Sequence, residues 1–108
     1  MNHNINADRL KTELVNYFDN LSPQDFSKFY SIKCLKSTSC LRKLDSLINM
    51  DNKYVLSKNA HLEIYSRIFF DAFMRENKFE YQYIDGTKIY TSIGQLNYFK
   101  WLFQSSIL

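Results

Sequence analysis

Two pairs of residues in the sequence are of types that could bind a metal ion, but only one of them has the spacing of a metal-binding motif. His61 and Glu63 have the His-x-Glu spacing that begins the zinc deaminase signature, but the Pro-Cys-x-x-Cys half of that signature is absent. Cys34 and Cys40 are separated by five residues, which is not a metal-ligand spacing, and only His3 and His61 could add nitrogen ligands. We therefore expect no metal, no other cofactor and two reduced thiols.

The sequence also lacks the short motifs of common enzyme classes. It has no phosphate-binding Gly-rich loop, no Gly-x-Ser-x-Gly nucleophile motif and no Cys and His close together in sequence. Most carboxylates stand beside basic residues at helical spacing, as surface ion pairs do. We therefore predict a protein that is not an enzyme and has no small-molecule substrate.

A run of basic residues between Phe26 and Leu44 could bind nucleic acid. The run contains no acidic residue, and its five positive charges exceed the net charge of the whole chain, which is +3. Such a segment could neutralise phosphates, with the hydroxyl groups of residues 37–39 adding contacts. The predicted nucleic-acid-binding residues are Lys28, Lys33, Lys36, Arg42 and Lys43. The alternative is a solvated basic helix face over an ordinary core.

Aromatic residues make up 17% of the chain and are dense near its end. In a helix over 92–105, Leu96, Phe99 and Phe103 form the stripe that would face a single core. The apolar residues outside this stripe and after the helix would form an exposed patch, which soluble monomers seldom carry without a use. We predict that these residues contact a second subunit, a partner protein or a continuation of the chain: Tyr98, Trp101, Leu102, Ile107 and Leu108. Trp101→Ala should then disrupt association and leave the fold intact.

The elements that position these groups are helices and one hairpin. Apolar spacing and capping residues predict helices near 8–20, 23–33, 39–49, 60–75 and 92–105. The stretch 60–75 is apolar around most of its circumference, which predicts a central, buried helix, and 49–58 reads as a polar connection. Residues 78–84 and 87–91 alternate with period two around Asp85-Gly86, which predicts strands joined by a two-residue turn.

The two-residue turn predicts the register of the hairpin. It places Tyr81 opposite Tyr90, so that one face carries the rings of Phe79, Tyr81, Tyr83 and Tyr90. Such a face could stack nucleic acid bases. We favour packing against the core, because a hairpin is marginally stable unless one face is covered.

These patterns predict one mostly α domain of the α+β class over residues 1–108. It is a compact helical domain of about five helices with one β-hairpin before the last helix. No apolar stretch approaches the ~20 residues of a membrane span, and no secretory signal is present, so we expect a soluble, intracellular protein without membrane contact. Two functions stay open: a protein–protein interaction or structural assembly module, with a protein partner or as a homo-oligomer, and a nucleic-acid-binding module that uses 28–43.

Residues 91–101 read Thr-Ser-Ile-Gly-Gln-Leu-Asn-Tyr-Phe-Lys-Trp. This segment resembles a motif of uncharacterised proteins of nucleocytoplasmic large DNA viruses. Their pattern is Thr, a small residue, Ile or Val, Gly-Gln-Leu-Asn, two aromatic residues, a basic residue and Trp. The resemblance implies a virion, or the cytoplasm or nucleus of an infected host cell, as the setting. It also implies that residues 1–108 are the N-terminal part of a longer protein, and it names no reaction.

Overall fold

The computed structural model describes residues 6–35 and 38–108, with the side chains of all of these except Leu35 and Thr38. In this part of the chain there are five α-helices and one antiparallel hairpin. The helices are α1 (Ala7–Asp19), α2 (Pro23–Tyr30), α3 (Thr38–Asn49), α4 (Asn52–Tyr65) and α5 (Ile93–Gln104). The strands are β1 (Lys78–Gln82) and β2 (Lys88–Ser92), directly before α5. The predicted fold class is therefore confirmed. Among the helices described, none is long and apolar enough to cross a bilayer.

Capping side chains set the starts of four of these helices. The side chains of Asn6, Ser22, Asp51 and Ser92 each accept a hydrogen bond from a backbone N–H in the first turn of the helix that follows. Pro23 occupies the first turn of α2, where its missing N–H removes no helical bond. Since these caps are local, the starts of α1, α2 and α5 lie close to the predicted positions.

The predicted central helix at 60–75 is wrong. Asp51 caps α4 at its start, so the helix includes most of the segment predicted as a polar connection. The helix ends at Tyr65, where Ser66 adopts a φ of 58°. After one 3-10 turn, the chain from residue 70 to 77 contains no regular helix or strand. The apolar residues of 60–75 therefore belong to two segments with different backbones.

The hairpin exists, but its register differs from the prediction by one residue. Tyr81 lies opposite Ile89, and Glu80 lies opposite Tyr90. The loop has three residues, because Tyr83 N donates to Thr87 O at 2.8 Å and Gly86, with a φ of 94°, follows a tight turn. A left-handed glycine after such a turn is the usual three-residue hairpin loop. Ile89 is therefore buried, and Tyr90 lies on the opposite, solvent-facing side.

The central helix of the fold is α5. Eight of its residues are buried, and its Phe99 ring packs edge-on against Phe29 of α2 at 4.9 Å between centroids. Phe29 in turn contacts Phe18 of α1, which packs on Tyr81 of β1. This chain of rings joins the hairpin and the first two helices to α5.

Candidate functional site

The polar residues of the 91–101 motif bind the backbone of the irregular segment 66–77. Three side chains in or next to α5 donate to carbonyls that no regular helix uses. The bonds run from Ser92 Oγ to Met74 O (2.8 Å), from Gln95 Nε2 to Ala72 O (2.9 Å) and from Asn97 Nδ2 to Phe69 O (2.7 Å). Since buried carbonyls need partners, these bonds let 66–77 leave the helical conformation. They stabilise a non-α-helical backbone after Tyr65, where α4 ends although the predicted helix continues to residue 75.

Gly94 allows this segment to approach α5 closely. Asp71 N donates to Gly94 O at 3.2 Å. A Cβ atom at position 94 would lie 2.9 Å from Met74 Cβ and 3.0 Å from the carbonyl oxygen of Ile68. Gly94 has the ordinary backbone conformation of a helix start. Glycine is therefore required here by the close contact and not by its conformational freedom.

Gly94→Ala should lower the free energy of unfolding by about 1–2 kcal/mol through this overpacking. In a helix without such a contact, alanine is more stable than glycine by about 0.5–1 kcal/mol, so a loss would report the close approach itself. Urea denaturation followed by circular dichroism measures the change, with exposed Gln104→Ala on the same helix as the control. Equal or greater stability of Gly94→Ala would contradict the proposed close packing.

The predicted interaction residues on α5 do not form an exposed flank. Tyr98, Trp101 and Leu102 are buried, with Trp101 only 2% exposed. Helices α3 and α4 cover them, since Tyr98 OH donates to Asp45 Oδ1 at 2.7 Å and Trp101 Nε1 donates to Ser57 Oγ at 2.9 Å. The prediction of an exposed flank at these three residues is wrong because the chain itself supplies the cover.

The last two residues of the predicted surface are only partly covered. Ile107 and Leu108 are half-buried, and both backbone N–H groups donate to the carbonyl of Leu102, at 2.9 and 3.3 Å. Leu108 also lines a shallow surface pocket against Ser27 and Ile32. These residues are therefore folded back onto the domain.

A polar cluster surrounds the Tyr98 hydroxyl group. Lys58 Nζ lies 2.9 Å from Asp45 Oδ1 and 3.1 Å from Asn49 Oδ1. Burial, followed by the hydrogen bond to Asp45, raises the pKa of the Tyr98 phenol above its ordinary value. The phenol therefore stays protonated and acts as a fixed donor that ties α5 to α3.

A cavity of about 220 Å³ lies beside this cluster. Its charged lining residues are already paired, Lys58 with Asp45 and Arg67 with Asp71 at 3.2 Å. Among the described residues, no group of three or more His, Cys, Asp or Glu could hold a metal ion. The first of these ion pairs joins α4 to α3, and the second lies within the segment 66–77.

The histidine and the cysteines considered as metal ligands have other surroundings in the structure. His61 Nδ1 lies 3.1 Å from the carbonyl oxygen of Ser57, and its ring packs 5.3 Å from that of Phe70. Cys34 and Cys40 are both free and exposed. His61 therefore has a packing role in the part of the chain that the structure describes.

The basic residues predicted to bind nucleic acid have different neighbours. Lys28 Nζ lies 3.8 Å from Asp25, and Lys33 Nζ donates to the carbonyl of Tyr90 at 3.2 Å. The Arg42 guanidinium lies 5.0 Å from the centre of the Phe73 ring, and Lys43 is exposed. Lys36 lies outside the described residues. Lys28, Lys33 and Arg42 therefore contact three different parts of the fold, namely α2, the hairpin and the segment 66–77.

Two exposed surfaces were missed by the sequence reasoning. One is the outer side of α4, where Leu56 is 72% and Ile64 is 56% exposed. In the sequence, Leu56, Ala60 and Ile64 are spaced by four residues, which predicts one side of a helix. The prediction of a polar connection at 49–58 left Leu56 outside that helix. The other is the solvent-facing side of the hairpin around Tyr90, which the incorrect register placed in the core.

The fold and these contacts define a mostly helical domain whose C-terminal helix organises the core. The chain belongs to a family of unknown function, DUF7197, whose model matches residues 26–108. The matched region includes the 91–101 motif, the hairpin and α4. Comparison with curated proteins and with solved structures found no match to the chain.

Proposed function

We propose that this domain is a non-enzymatic assembly module that associates with a second copy of itself through the outer side of α4. One observation carries the proposal: none of the fourteen residues of α4 is buried, although the helix is rich in apolar side chains. Helices are normally held in place by a buried apolar stripe. An apolar side left in solvent favours a partner that covers it.

Leu56, Ala60 and Ile64 follow one another at intervals of four residues, so they lie along one side of α4. The inner side is occupied, because Lys58 binds Asp45 of α3 and Ser57 accepts the hydrogen bond from Trp101. The stripe formed by Leu56, Ala60 and Ile64, here called the α4 stripe, is therefore the side available for association.

Two charged residues within α4, Lys53 and Glu63, oppose the helix dipole, whereas the capping carboxylate of Asp51 complements it. Lys53 stands in the first turn and Glu63 in the last turn, and the helix has no acid in its first turn and no base in its last. A helix dipole favours acids at the start and bases at the end. A second α4 in antiparallel orientation would place its Lys53 near the end of this helix, and its Glu63 beside Lys53 at the start, where the Asp51 carboxylate already caps the helix.

A two-fold axis near the middle of α4 makes these features self-complementary. It brings Lys53 opposite Glu63 of the other copy, and Leu56 opposite the small Ala60, at both symmetry-related positions. Met50, which is 80% exposed in the turn before α4, extends the apolar surface. The helix is about 21 Å long at 1.5 Å per residue, so the contact is small and the association should be weak and concentration-dependent.

Leu56→Asp should make the protein monomeric at concentrations where the wild type forms dimers. The substitution places a carboxylate in the apolar contact at both symmetry-related positions, while its cost to the folded monomer is small because the side chain is exposed. Sedimentation equilibrium measures the association. Ile84→Asp is the matched control, since Ile84 in the hairpin loop is 71% exposed. A wild-type protein that is monomeric at all concentrations, or a Leu56→Asp variant that still dimerises, would refute the proposal.

Charge exchange tests the antiparallel arrangement within the same experiment. Lys53→Glu and Glu63→Lys should each weaken the dimer, because each puts like charges opposite one another at both ends. The double variant should recover the affinity, since the pairs are restored with reversed sign. Failure of the double variant to recover would show that these ends do not face one another.

We also propose that this assembly takes place in an infected cell or a virion. Support for the setting comes from the resemblance of residues 91–101 to the motif of large DNA virus proteins. Immunodetection of the protein in purified virus particles and in infected-cell extracts tests it, and absence from both would contradict it.

A further inference from the structure

The solvent-facing side of the hairpin presents one aromatic ring among positive charges. Tyr90 is 64% exposed, whereas Tyr81 and Tyr83 of the same hairpin are buried. The two buried tyrosines use their hydroxyl groups inside the domain, at Asp19 Oδ1 (2.8 Å) and at the carbonyl of Leu21 (2.6 Å). The ring of Tyr90 is therefore the part of the hairpin that a ligand could reach.

Three lysines lie near Tyr90: one beside its ring, one at its backbone carbonyl and one on the same side of its strand. Lys78 Nζ lies 5.2 Å from its centroid, and Lys33 Nζ donates to the Tyr90 carbonyl at 3.2 Å. Lys88 lies two residues before Tyr90 on the same side of the strand and opposite Gln82. Of the residues in β1 and β2, only Glu80 is acidic, and it lies opposite Tyr90. Within the two strands the balance is two lysines to one carboxylate, and Lys33, from outside the strands, adds a third positive charge at the Tyr90 carbonyl.

The positive charges lie close enough to affect one another. Burial lowers the pKa of Lys33 below its ordinary value, Cys34 acts in the opposite direction, and the nearby charge of Lys78 lowers the pKa further. A cation that is partly desolvated and next to another cation is stabilised when an anion approaches. This side of the hairpin is therefore electrostatically suited to a phosphate group.

We propose that the hairpin face, defined as Lys33, Lys78, Lys88 and Tyr90, binds single-stranded nucleic acid by stacking one base on Tyr90 and contacting phosphates with the lysines. An exposed ring beside cations is the combination that single-strand binders use, since every base has a stacking face. A duplex hides these faces, so it should bind more weakly. The site uses only Lys33 of the basic segment, and it shares no residue with the α4 stripe.

Fluorescence anisotropy with fluorescein-labelled oligo(dT), oligo(rU) and a mixed-sequence duplex tests the site at low and moderate salt. Tyr90→Thr keeps a strand-forming residue and removes the ring, and it should weaken binding of both single strands by about tenfold. Tyr90→Phe keeps the ring and should bind as the wild type does. Lys78→Glu and Lys88→Glu should each weaken binding to all sequences and reduce the salt slope by about 1. Ile84→Thr, in the hairpin loop, is the control.

Four results would overturn this proposal. The first is no salt-sensitive binding of either oligonucleotide by the wild type. The second is wild-type affinity in Tyr90→Thr, which would remove the stacking contact. The third is a duplex affinity equal to that of the single strands. The fourth is equal affinity for a polyglutamate peptide of matched charge, which would show a general polyanion surface.

Discussion

Replacing Trp101 by alanine should lower the free energy of unfolding by about 3–5 kcal/mol, the cost of removing a large buried aromatic side chain. Trp101 is 2% exposed, and its ring packs between Phe70 at 5.7 Å, Tyr98 at 5.7 Å and His61 at 6.2 Å. The loss also removes the donor to Ser57 Oγ. Since a small domain has only about 5–15 kcal/mol of stability, the variant should be severely destabilised.

Urea denaturation measures this change in the free energy of unfolding. Two further variants show how much of it comes from packing in the core. Trp101→Phe keeps most of the packing and loses the hydrogen bond, so its cost should be smaller. Leu56→Ala removes an exposed apolar side chain and should change stability by about 0.5 kcal/mol or less. If Trp101→Ala were as stable as the wild type, the Trp101 side chain would have to lie outside the core, in the exposed flank that the sequence predicts.

Alkaline pH should destabilise the protein steeply because two tyrosines are held in their neutral form. Burial raises the pKa of Tyr98 and of Tyr81, and hydrogen bonds to Asp45 and Asp19 raise them further. A raised folded-state pKa gives stability that is complete below the unfolded value of 10.0 and is lost as the pH rises above it. The free energy of unfolding should therefore fall by about 1.4 kcal/mol per pH unit for each phenol above pH 10.

Tyr98→Phe isolates one of these contributions. At neutral pH the variant should be less stable by about 1 kcal/mol, because it loses the hydrogen bond to Asp45. Above pH 10 its stability should fall less steeply than that of the wild type, so the difference between the two should shrink. Urea denaturation at a series of pH values measures both slopes. Parallel slopes at alkaline pH would contradict a neutral, buried Tyr98.

Those parts of the fold that local sequence controls were predictable. The hairpin depends on period-two alternation around Asp85-Gly86, and α5 depends on the cap at Ser92, and both signals lie within a few residues of the element that they specify. The register needed one more fact, the choice between a two-residue and a three-residue loop. Asp85-Gly86 is compatible with either loop. A change from the two-residue to the three-residue loop shifts the register by one residue and moves Tyr90 to the opposite face of the hairpin.

The errors arose where distant residues decide the backbone. The stretch 60–75 has helical composition, but the carbonyls of Phe69, Ala72 and Met74 accept hydrogen bonds from side chains 18 to 28 positions further along the sequence. Burial of Trp101 likewise depends on Ser57. Periodicity within one segment carries no information on such contacts. The sequence therefore predicts a buried helix at 60–75 and an exposed flank on α5, whereas in the structure α5 is the buried helix.

Helix α5 lies in the core of the domain, and we propose the outer side of α4 as its association surface. Hydrogen–deuterium exchange at low and high protein concentration tests both statements in one measurement. We predict that amides of α5 (Ile93–Gln104) are strongly protected at every concentration, and that protection of α4 (Asn52–Tyr65) increases as the concentration rises. Protection of α5 that increases with concentration, while α4 stays unchanged, would contradict both statements.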